Sequence, residues 1–409
     1  MATHITQLNN VAMKGSLTSI RSNIWKMSVI TAANEALFLI PVLVPFFQEN
    51  GLTLKEVFLL QSIFALSLMV LEIPSGYLSD CWGRKPTMLV GSVVGVIGAL
   101  LYALSTSFWG FFVGEVLLAV MVSFYSGTKE AILYDTLLEL GEESSYRRCL
   151  GQQQFAGLSS QAVASIIGGL LTLIALRATV WATSIPFLIG LLVVFFLEEP
   201  KRHKLQETRH VKAIWEITTH ALVKNVPLRS IVILHAIISS LTLTLVWFTQ
   251  PYQEMAGLPL ILFGVTHAAI MIMTGFASKL VHRLENQADD RLLLIAIAVI
   301  VTTSYLALGF MTSLWGIALL FLGRVMWGFL TPLTSDLVNR MTTSEVRATV
   351  LSIRSFVSSL LFGIASPFIG YLADVLTLNQ AILATGFVSG VVLTIVFVRM
   401  TSVWKQVPK

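Results

Sequence analysis

The chain has 409 residues, of which 55% are hydrophobic and only 12% are charged. A soluble domain carries about 25% charged residues, so this composition excludes an ordinary soluble protein and indicates an integral membrane protein. The formal net charge of +5 does not indicate a nucleic-acid partner, because the basic residues form no stripe with interleaved aromatic side chains.

The N-terminal segment, residues 1–24, is polar and contains no apolar run of the length that a signal peptide requires. We therefore expect this segment to be retained and to lie in the cytoplasm. The two cysteines, Cys81 and Cys149, have no partner at metal-ligand spacing in the sequence. The sequence predicts neither a metal site nor a cofactor.

Twelve apolar runs follow, each long enough for a membrane helix of about 20 residues. One long polar stretch, residues 198–229, divides them six and six, and its apolar positions between Val211 and Leu222 repeat at helical spacing. This stretch predicts a cytoplasmic linker with an amphipathic helix on the membrane surface. The predicted limits of spans 1 to 12 are 25–47, 57–79, 86–105, 108–134, 151–176, 179–197, 230–252, 260–282, 291–311, 314–338, 347–373 and 379–399.

The distribution of lysine and arginine predicts the orientation, because cytoplasmic loops carry an excess of these residues. With the N-terminus inside, only Lys55 and Arg177 fall between spans on the opposite face. Both termini are therefore expected in the cytoplasm. The predicted organisation is a cytoplasmic segment 1–24, a six-helix bundle 25–197, the linker 198–229, a second six-helix bundle 230–399 and a cytoplasmic tail 400–409.

A weak internal repeat relates the two halves of the chain. The segment LFLGRVMWG at 320–328 echoes FFVGEVLLA at 111–119, and GFASKLVHRL at 275–284 echoes GYLSDCWGRK at 76–85. Two six-span halves repeated in parallel are the organisation of one class of secondary transporters. The sequence thus predicts an all-α membrane protein with twelve transmembrane helices in two pseudo-symmetric six-helix bundles.

The stretch GYLSDCWGRK, between spans 2 and 3, resembles motif A of the major facilitator superfamily, whose pattern is G-x-L-A-D-R-x-G-R-K. Cys81 stands where the family has arginine. The resemblance extends over the whole chain through the span count, the central linker and the repeat, and it implies the major facilitator fold. The residues that match the motif are Gly76, Leu78, Asp80, Gly83, Arg84 and Lys85.

In that family, the motif closes the two halves against each other on the cytoplasmic side. Gly76 and Gly83 allow close backbone approach and a tight turn. Asp80 is expected to accept hydrogen bonds from the N–H groups at the start of span 11 and to complement the dipole of that helix. Arg84 and Lys85 complete the motif, and they also fit the positive-inside bias. The resemblance therefore implies a releasable clasp.

A second gating contact is predicted from depth. Glu72 in span 2 and Arg354 in span 11 both lie about 12 Å from the cytoplasmic ends of their spans, at 1.5 Å per residue. A charge at that depth is costly when it is unpaired, and pairing offsets much of the cost. We expect a Glu72–Arg354 contact when the cytoplasmic side is closed. The alternative is that each residue bonds within its own half.

Two further motifs are incomplete. LFLGRVMWG, around Arg324 in span 10, resembles motif B (L-x-x-x-R-x-x-Q-G) with Trp327 in place of glutamine, whereas span 4, where motif B normally lies, carries Glu115. Span 5 resembles motif C, the glycine-rich signature of exporters, and its small residues predict close helix packing. Gly151, Gly168 and Gly169 match that motif, while Ser160, Ala164 and Ser165 replace two glycines and a proline.

By resemblance, spans 1, 4, 7 and 10 line a central cavity. Glu35 lies about 15 Å into span 1, near the midplane of the bilayer, and is expected to exchange a proton as its access alternates. The alternative is a buried acid bonded to Asn34 or to a neighbouring helix. Glu115 and Arg324 are expected to pair or to face the solute. The other candidate side chains for the solute site are Trp247, Gln250 and Trp327.

Three further polar residues inside the spans are not assigned to the solute site. Lys129 reads as part of a solvated gate rim, because it lies in the last turns of span 4, where a long side chain reaches water. His235 and His267 are lone histidines inside spans, and they are assigned no site.

The sequence predicts a secondary transporter that moves a small organic solute by alternating access, similar to proton-coupled drug exporters. The first alternative is a proton-coupled uptake symporter for an organic nutrient, and the second is a transport-inactive membrane sensor. An enzyme is not predicted, because the sequence has no HExxH, GxSxG or GxxxxGK[ST] motif. The expected partners are the solute, protons and the lipid bilayer, with a monomeric chain in a bacterial inner (plasma) membrane.

Overall fold

The structure, a computed structural model, describes residues 18–200, 218–285 and 289–404. These residues form helices joined by short turns, with no β-strand among them, so the all-α fold class is confirmed. Twelve helical segments in the described chain are long and apolar enough to cross a membrane. The predicted number of spans is confirmed, whereas the side on which the termini lie stays a prediction.

Ten of the spans are single helices, and spans 1 and 4 each consist of two. Short 3-10 turns lie at Ile40–Val42 and Glu143–Ser145, and a π-helical turn lies at His220–Lys224. In chain order the helices of the spans are Asn23–Glu35 with Leu43–Glu49, Leu54–Trp82, Arg84–Leu104, Phe108–Tyr125 with Thr128–Leu140, Tyr146–Leu171, Leu176–Phe195, Val226–Met255, Leu260–Glu285, Asp290–Leu308, Gly316–Met341, Ser344–Val375 and Leu378–Val403.

Most helices extend a few residues beyond the predicted limits, because an apolar run marks the hydrocarbon core and not the end of the helix. The start of span 7 is an example, since residues before the apolar run begin this helix. Its helix begins at Val226 because the Asn225 side chain accepts the Leu228 N–H at 3.0 Å, and Pro227 occupies the first turn. Residues 201–217 lie outside the described residues, and they include positions 211–217 of the amphipathic helix predicted at 211–222.

The interruptions of spans 1 and 4 were not predicted. In span 1, Pro41 lies in the turn between the two helices, and proline has no N–H and clashes with the carbonyl four residues earlier. In span 4 the helix stops at Tyr125 and resumes at Thr128. Gly127 between them has a φ of 70°, which glycine adopts without strain.

The chain divides into two compact units. The first contains Met1–Ile40 and Ser67–Leu205, and the second contains Pro41–Leu66 and Gln206–Lys409. The second unit therefore includes the end of span 1 and the first half of span 2. The predicted bundles 25–197 and 230–399 stay a prediction.

Glycines determine how closely helices approach within the first unit. A Cβ atom at Gly95 would lie 2.1 Å from the Met121 sulfur, and one at Gly91 would lie 2.9 Å from the Phe124 Cβ. Both contacts join span 3 to the first helix of span 4, so the missing side chains of span 3 make room for this helix. Span 4 is thereby held against span 3 up to the point where its helix breaks.

Candidate functional site

Glu35 is the last residue of the first helix of span 1. Its side chain is half-buried, and its carboxylate makes no hydrogen bond or ion pair with any residue that the structure describes. Lys129, just after the break in span 4, is near enough to interact with it electrostatically. The two groups nevertheless lie beyond the 4.0 Å limit of an ion pair. An acid and a base thus lie near each other beside the breaks of two helices.

Asn34 does not bond to Glu35 in this structure. Its side chain lies near the hydroxyl of Tyr125, the last residue before the break in span 4. The same hydroxyl lies 2.5 Å from the Ser92 hydroxyl of span 3. Spans 3 and 4 are therefore linked by a hydrogen bond beside the break in span 4, with Asn34 of span 1 near it, and the Glu35 carboxylate takes no part in this bond.

Span 5 packs along the first helix of span 1 through small residues. The Ser160 hydroxyl donates to the Ala32 carbonyl at 2.7 Å. A Cβ atom at Gly157 would lie 3.2 Å from Glu35 Cγ, so this glycine leaves room for the acid. Gly168 lies against the break itself, where a Cβ atom would be 2.1 Å from the Phe38 carbonyl oxygen. The close packing predicted from the degenerate motif C is present at Gly168.

Replacing Gly168 with alanine should destabilise the protein by about 1–3 kcal/mol, the usual cost of overpacking. The added methyl group meets a backbone carbonyl, which has no rotamer to change. The apparent Tm of the purified protein in detergent should fall. Gly151→Ala is the matched control in the same helix, since a Cβ atom there meets no described atom within 4 Å. Equal Tm values for Gly168→Ala and the unmodified protein would refute this account of the break.

Glu115 is buried, with 4% of its surface exposed, and its side chain bonds to the Tyr102 hydroxyl of span 3. The ring of Tyr102 also occupies the space beside Gly114, where a Cβ atom would lie 2.4 Å from it. Glu115 and Arg324 belong to different units, so the predicted pairing of these two residues stays a prediction.

The second unit contains a polar cavity between spans 1, 7, 8 and 10. Among the predicted site residues, Arg324 and Gln250 line it. Gln250 also has a structural role, because its side-chain oxygen accepts the Val44 N–H at 2.8 Å and so satisfies the start of the second helix of span 1. Trp327 is 47% exposed and Trp247 is buried. Neither tryptophan lines this cavity.

The sequence interpretation missed four polar residues that line the same cavity. They could have been found in the sequence from their spacing, which places them on one face of each helix. In span 7 the lining residues lie at positions 246, 249, 250 and 253, the i, i+3, i+4, i+7 pattern of one helix face, and span 8 repeats the first part of it at 263, 266 and 267. His235 bonds to Thr334 at 2.8 Å, as a core histidine would, whereas His267 faces the cavity. The four missed residues are Thr249, Gln253, Thr266 and His267.

The motif A segment, residues 76–85, forms bonds within the first unit. Asp80 pairs with Arg84 at 2.6 Å, and Arg84 also approaches Asp135 at 3.4 Å. The first N–H groups of span 3, those of Arg84 and Lys85, donate to the Glu199 carboxylate at 2.8 and 2.6 Å. The start of span 11 lies in the other unit, so the predicted Asp80 contact with it stays a prediction.

Span 11 ends with GYLAD at 370–374, which repeats GYLSD at 76–80 in span 2. The Asp374 carboxylate accepts the Leu54 and Lys55 N–H groups, both at 2.9 Å. These are the first N–H groups of the span 2 helix, which have no intrahelical acceptor. Asp374 thus makes, at the predicted outer face, the kind of contact that motif A implies for Asp80 at the cytoplasmic face. The sequence interpretation did not detect this repeat.

Close backbone contact accompanies the Asp374 bonds. A Cβ atom at Gly370 would lie 2.7 Å from Phe58 Cβ and 2.9 Å from Lys55 Cα, and one at Gly363 would lie 2.6 Å from Leu66 Cγ. The glycines let span 11 lie directly against the first half of span 2. We call the contact of Gly370–Asp374 with the start of span 2 the outer clasp, and we call the motif A segment the inner clasp.

The predicted Glu72–Arg354 contact joins residues of different units and stays a prediction. Glu72 is exposed. Arg354 is buried and donates from one guanidinium nitrogen to the hydroxyls of Thr334 and Ser335, at 3.0 and 2.9 Å. Arg354 therefore has partners within the second unit, which is the alternative stated above for this residue.

The sequence is similar to that of known membrane transporters. A family model described as Major Facilitator Superfamily matches residues 27–363. Over 148 residues the chain is 30% identical to the inner membrane transport protein YajR of Escherichia coli (strain K12). That match covers 35% of this chain and 31% of YajR, so the matched segment spans about a third of the length of this curated relative.

Solved transporter structures share the fold at low sequence identity. The nucleoside transporter NupG has a TM-score of 0.79 at 13% identity, over 93% of this chain and 99% of its own. An inward-facing bacterial homologue of the human lysosomal transporter Spinster has a TM-score of 0.73 at 15% identity, over 93% and 95%. A D-xylose-proton symporter has a TM-score of 0.65 at 14% identity, over 92% and 97%. At this identity the likeness shows the fold alone.

The chain is an integral, multi-pass membrane protein of a transporter family and not an enzyme. A bacterial inner-membrane location fits the YajR match. Since the family model covers residues 27–363, well over half of the sequence, the chain belongs to the major facilitator superfamily.

Proposed function

We propose that this transporter exports a small organic solute in exchange for protons, by alternating access. The observation that carries the proposal is the position of Glu35 at the break of span 1, without a hydrogen-bonding or ion-pair partner among the described residues. A carboxyl group at membrane depth is costly. Transporters place their binding sites at such discontinuous helices, because the broken helix ends leave polar backbone groups free.

The gap between Glu35 and Lys129 supplies the exchange step. When Glu35 is ionised, Lys129 attracts it without forming an ion pair with it, and we propose that a polar group of the solute binds between them. When Glu35 is protonated, its attraction to Lys129 is lost and the carboxyl becomes a hydrogen-bond donor. Solute and proton would then compete for one acid, which is the requirement for exchange.

The direction of transport rests on span 5. Gly168 and Ser160, two positions of the degenerate motif C, contact the backbone of span 1 next to the break, and this motif belongs to exporters. Uptake in symport with protons is the rival. It draws support from the likeness of the fold to the D-xylose-proton symporter.

Alternating access is assigned to the two clasps. The outer clasp joins spans 2 and 11 at one end, and we propose that the inner clasp joins the same spans at the other end, each through an aspartate that ends a GYL(S/A)D segment. The outer clasp is made in this structure, whereas Asp80 of the inner clasp is paired with Arg84. We infer that the two clasps form in turn, so that the site near Glu35 opens to one side at a time.

The direction is tested in two steps. A thermal-shift screen of the purified protein against metabolites, siderophores and drugs first identifies a bound solute. Proton flux that accompanies this solute is then measured in everted and in right-side-out vesicles. Export predicts that protons and solute move in opposite directions, and uptake predicts that they move together. A solute that binds but never crosses the membrane would favour the transport-inactive sensor.

A further inference from the structure

The cavity of the second unit contains a buried cation without a counter-charge. Arg324 is 7% exposed, and its guanidinium makes no hydrogen bond or ion pair with any residue of the described chain. A buried, unpaired charge costs several kcal/mol, and the other buried arginine among the described residues, Arg354, has hydrogen-bond partners. An anion that is not part of the described chain would remove this cost.

A second unpartnered group lines the same cavity. His267 is 8% exposed, and its buried Nε2 has no hydrogen-bond partner among the described residues. One neutral tautomer of histidine carries a donor N–H at this nitrogen. Arg324 and His267 therefore bring two kinds of donor to one space, from spans 10 and 8.

The rest of the lining supplies further donors and no acid. The Thr266 hydroxyl donates to the Phe263 carbonyl at 2.9 Å and accepts one N–H of Gln253 at 2.8 Å. The Gln253 amide carries a second N–H donor. The free space admits one small guest, on the order of a water molecule or a monatomic ion, and is too small for an organic solute.

We propose that this cavity binds one small monovalent anion of the size of chloride, held by Arg324 and His267. The site is separate from the exchange step proposed at Glu35, because Glu35 lies in the first unit and every lining residue of the cavity lies in the second. The bound anion neutralises Arg324 and fixes span 10 against spans 7 and 8. Transport is therefore expected to require the anion without moving it.

The test measures the apparent Tm of the purified full-length protein in detergent, with sodium gluconate replaced by sodium chloride or bromide at constant ionic strength. A ligand of the native state raises the Tm with saturation. Chloride and bromide should each produce this rise, and Arg324→Gln should abolish it. Arg354→Gln is the control, since it removes another buried arginine of the same unit and should retain the anion-dependent rise.

Arg324→Lys keeps the charge and should retain the rise, which covers the case in which Arg324→Gln does not fold. Crystals grown in bromide should show an anomalous peak inside the cavity. A Tm that is the same in chloride and gluconate would overturn the proposal, as would an equal chloride effect in Arg324→Gln. Stabilisation by acetate but not by chloride would also overturn it, and would assign Arg324 to a carboxylate of the solute.

Discussion

Glu35→Gln should abolish accumulation driven by a pH gradient while leaving solute binding and solute-for-solute exchange intact. Glutamine has nearly the shape of glutamic acid and keeps its hydrogen-bonding groups, but it cannot lose a proton. Exchange of labelled for unlabelled solute needs no net proton movement, so it should continue. The solute is the compound found in the thermal-shift screen, and both transport modes are measured in proteoliposomes. The affinity for the solute should also lose its dependence on pH.

Glu49→Gln is the matched control for this prediction. Glu49 ends the second helix of the same span and is exposed, so its neutralisation should leave both transport modes unchanged. Full accumulation in a well-expressed Glu35→Gln protein would remove Glu35 from the mechanism. Loss of both modes together would assign it a role in binding alone.

Asp374→Asn and Asp80→Asn should shift the protein in opposite directions. Asparagine accepts one N–H bond where the carboxylate accepts two, and it loses the charge that complements the helix start. Weakening the outer clasp by about 1–2 kcal/mol changes the populations roughly 5–30-fold. Asp374→Asn should favour the state that is open on the outer face, and Asp80→Asn the state that is open to the cytoplasm. Turnover should suffer more than binding in both variants.

Hydrogen–deuterium exchange reports this shift directly. In Asp374→Asn the amides at the start of span 2 should exchange faster, and the amides of the motif A segment should become more protected. Asp80→Asn should show the reverse. Glu56→Gln is the control at the same helix start, because it neutralises a carboxylate whose bond, to the Thr53 N–H at 2.9 Å, is local. If the two aspartate variants change both ends alike, the clasps do not alternate.

Gly370→Ala provides an independent test of the outer clasp. The added Cβ atom would press on Phe58 and Lys55, so the outer clasp should fail to close even though Asp374 is intact. Gly76→Ala is its counterpart in the repeated segment, and a Cβ atom there meets no described atom within 4 Å. Gly76→Ala should therefore leave this conformation undisturbed. Equal exchange at the start of span 2 in both variants would contradict the packing role of Gly370.

The twelve spans could be predicted from the sequence because length and apolarity alone decide whether a helix crosses a bilayer. The breaks in spans 1 and 4 could not be predicted from the sequence. Pro41 interrupts span 1, but Pro186 and Pro332 lie inside continuous helices, so proline alone does not locate an interruption. Whether a helix tolerates its proline depends on the neighbouring spans, and here Gly168 makes room for the Phe38 carbonyl of the break.

Only part of the candidate site could be predicted from the sequence, because position along a helix can be read from the sequence but contacts between helices cannot. The position of Glu35 along span 1 predicts an acid near the midplane, since the rise per residue of a helix is fixed. The nearness of Lys129 depends on the break in span 4, so the sequence placed Lys129 at a solvated rim. The cavity around Arg324 could not be predicted, because its lining depends on how each of four helices is rotated about its own axis. The GYLAD repeat at 370–374 can be recognised in the sequence. Its contact with the start of span 2 could be identified only from the structure.

Proton release on solute binding is the most direct test of the central claim that solute and proton share Glu35. Titration calorimetry of the purified protein, in buffers that differ in ionisation enthalpy, measures the protons released for each solute bound. The solute is again the compound found in the thermal-shift screen. The account predicts proton release in the unmodified protein and in Glu49→Gln, and none in Glu35→Gln. Binding without proton release in the unmodified protein, or equal release in Glu35→Gln, would contradict it.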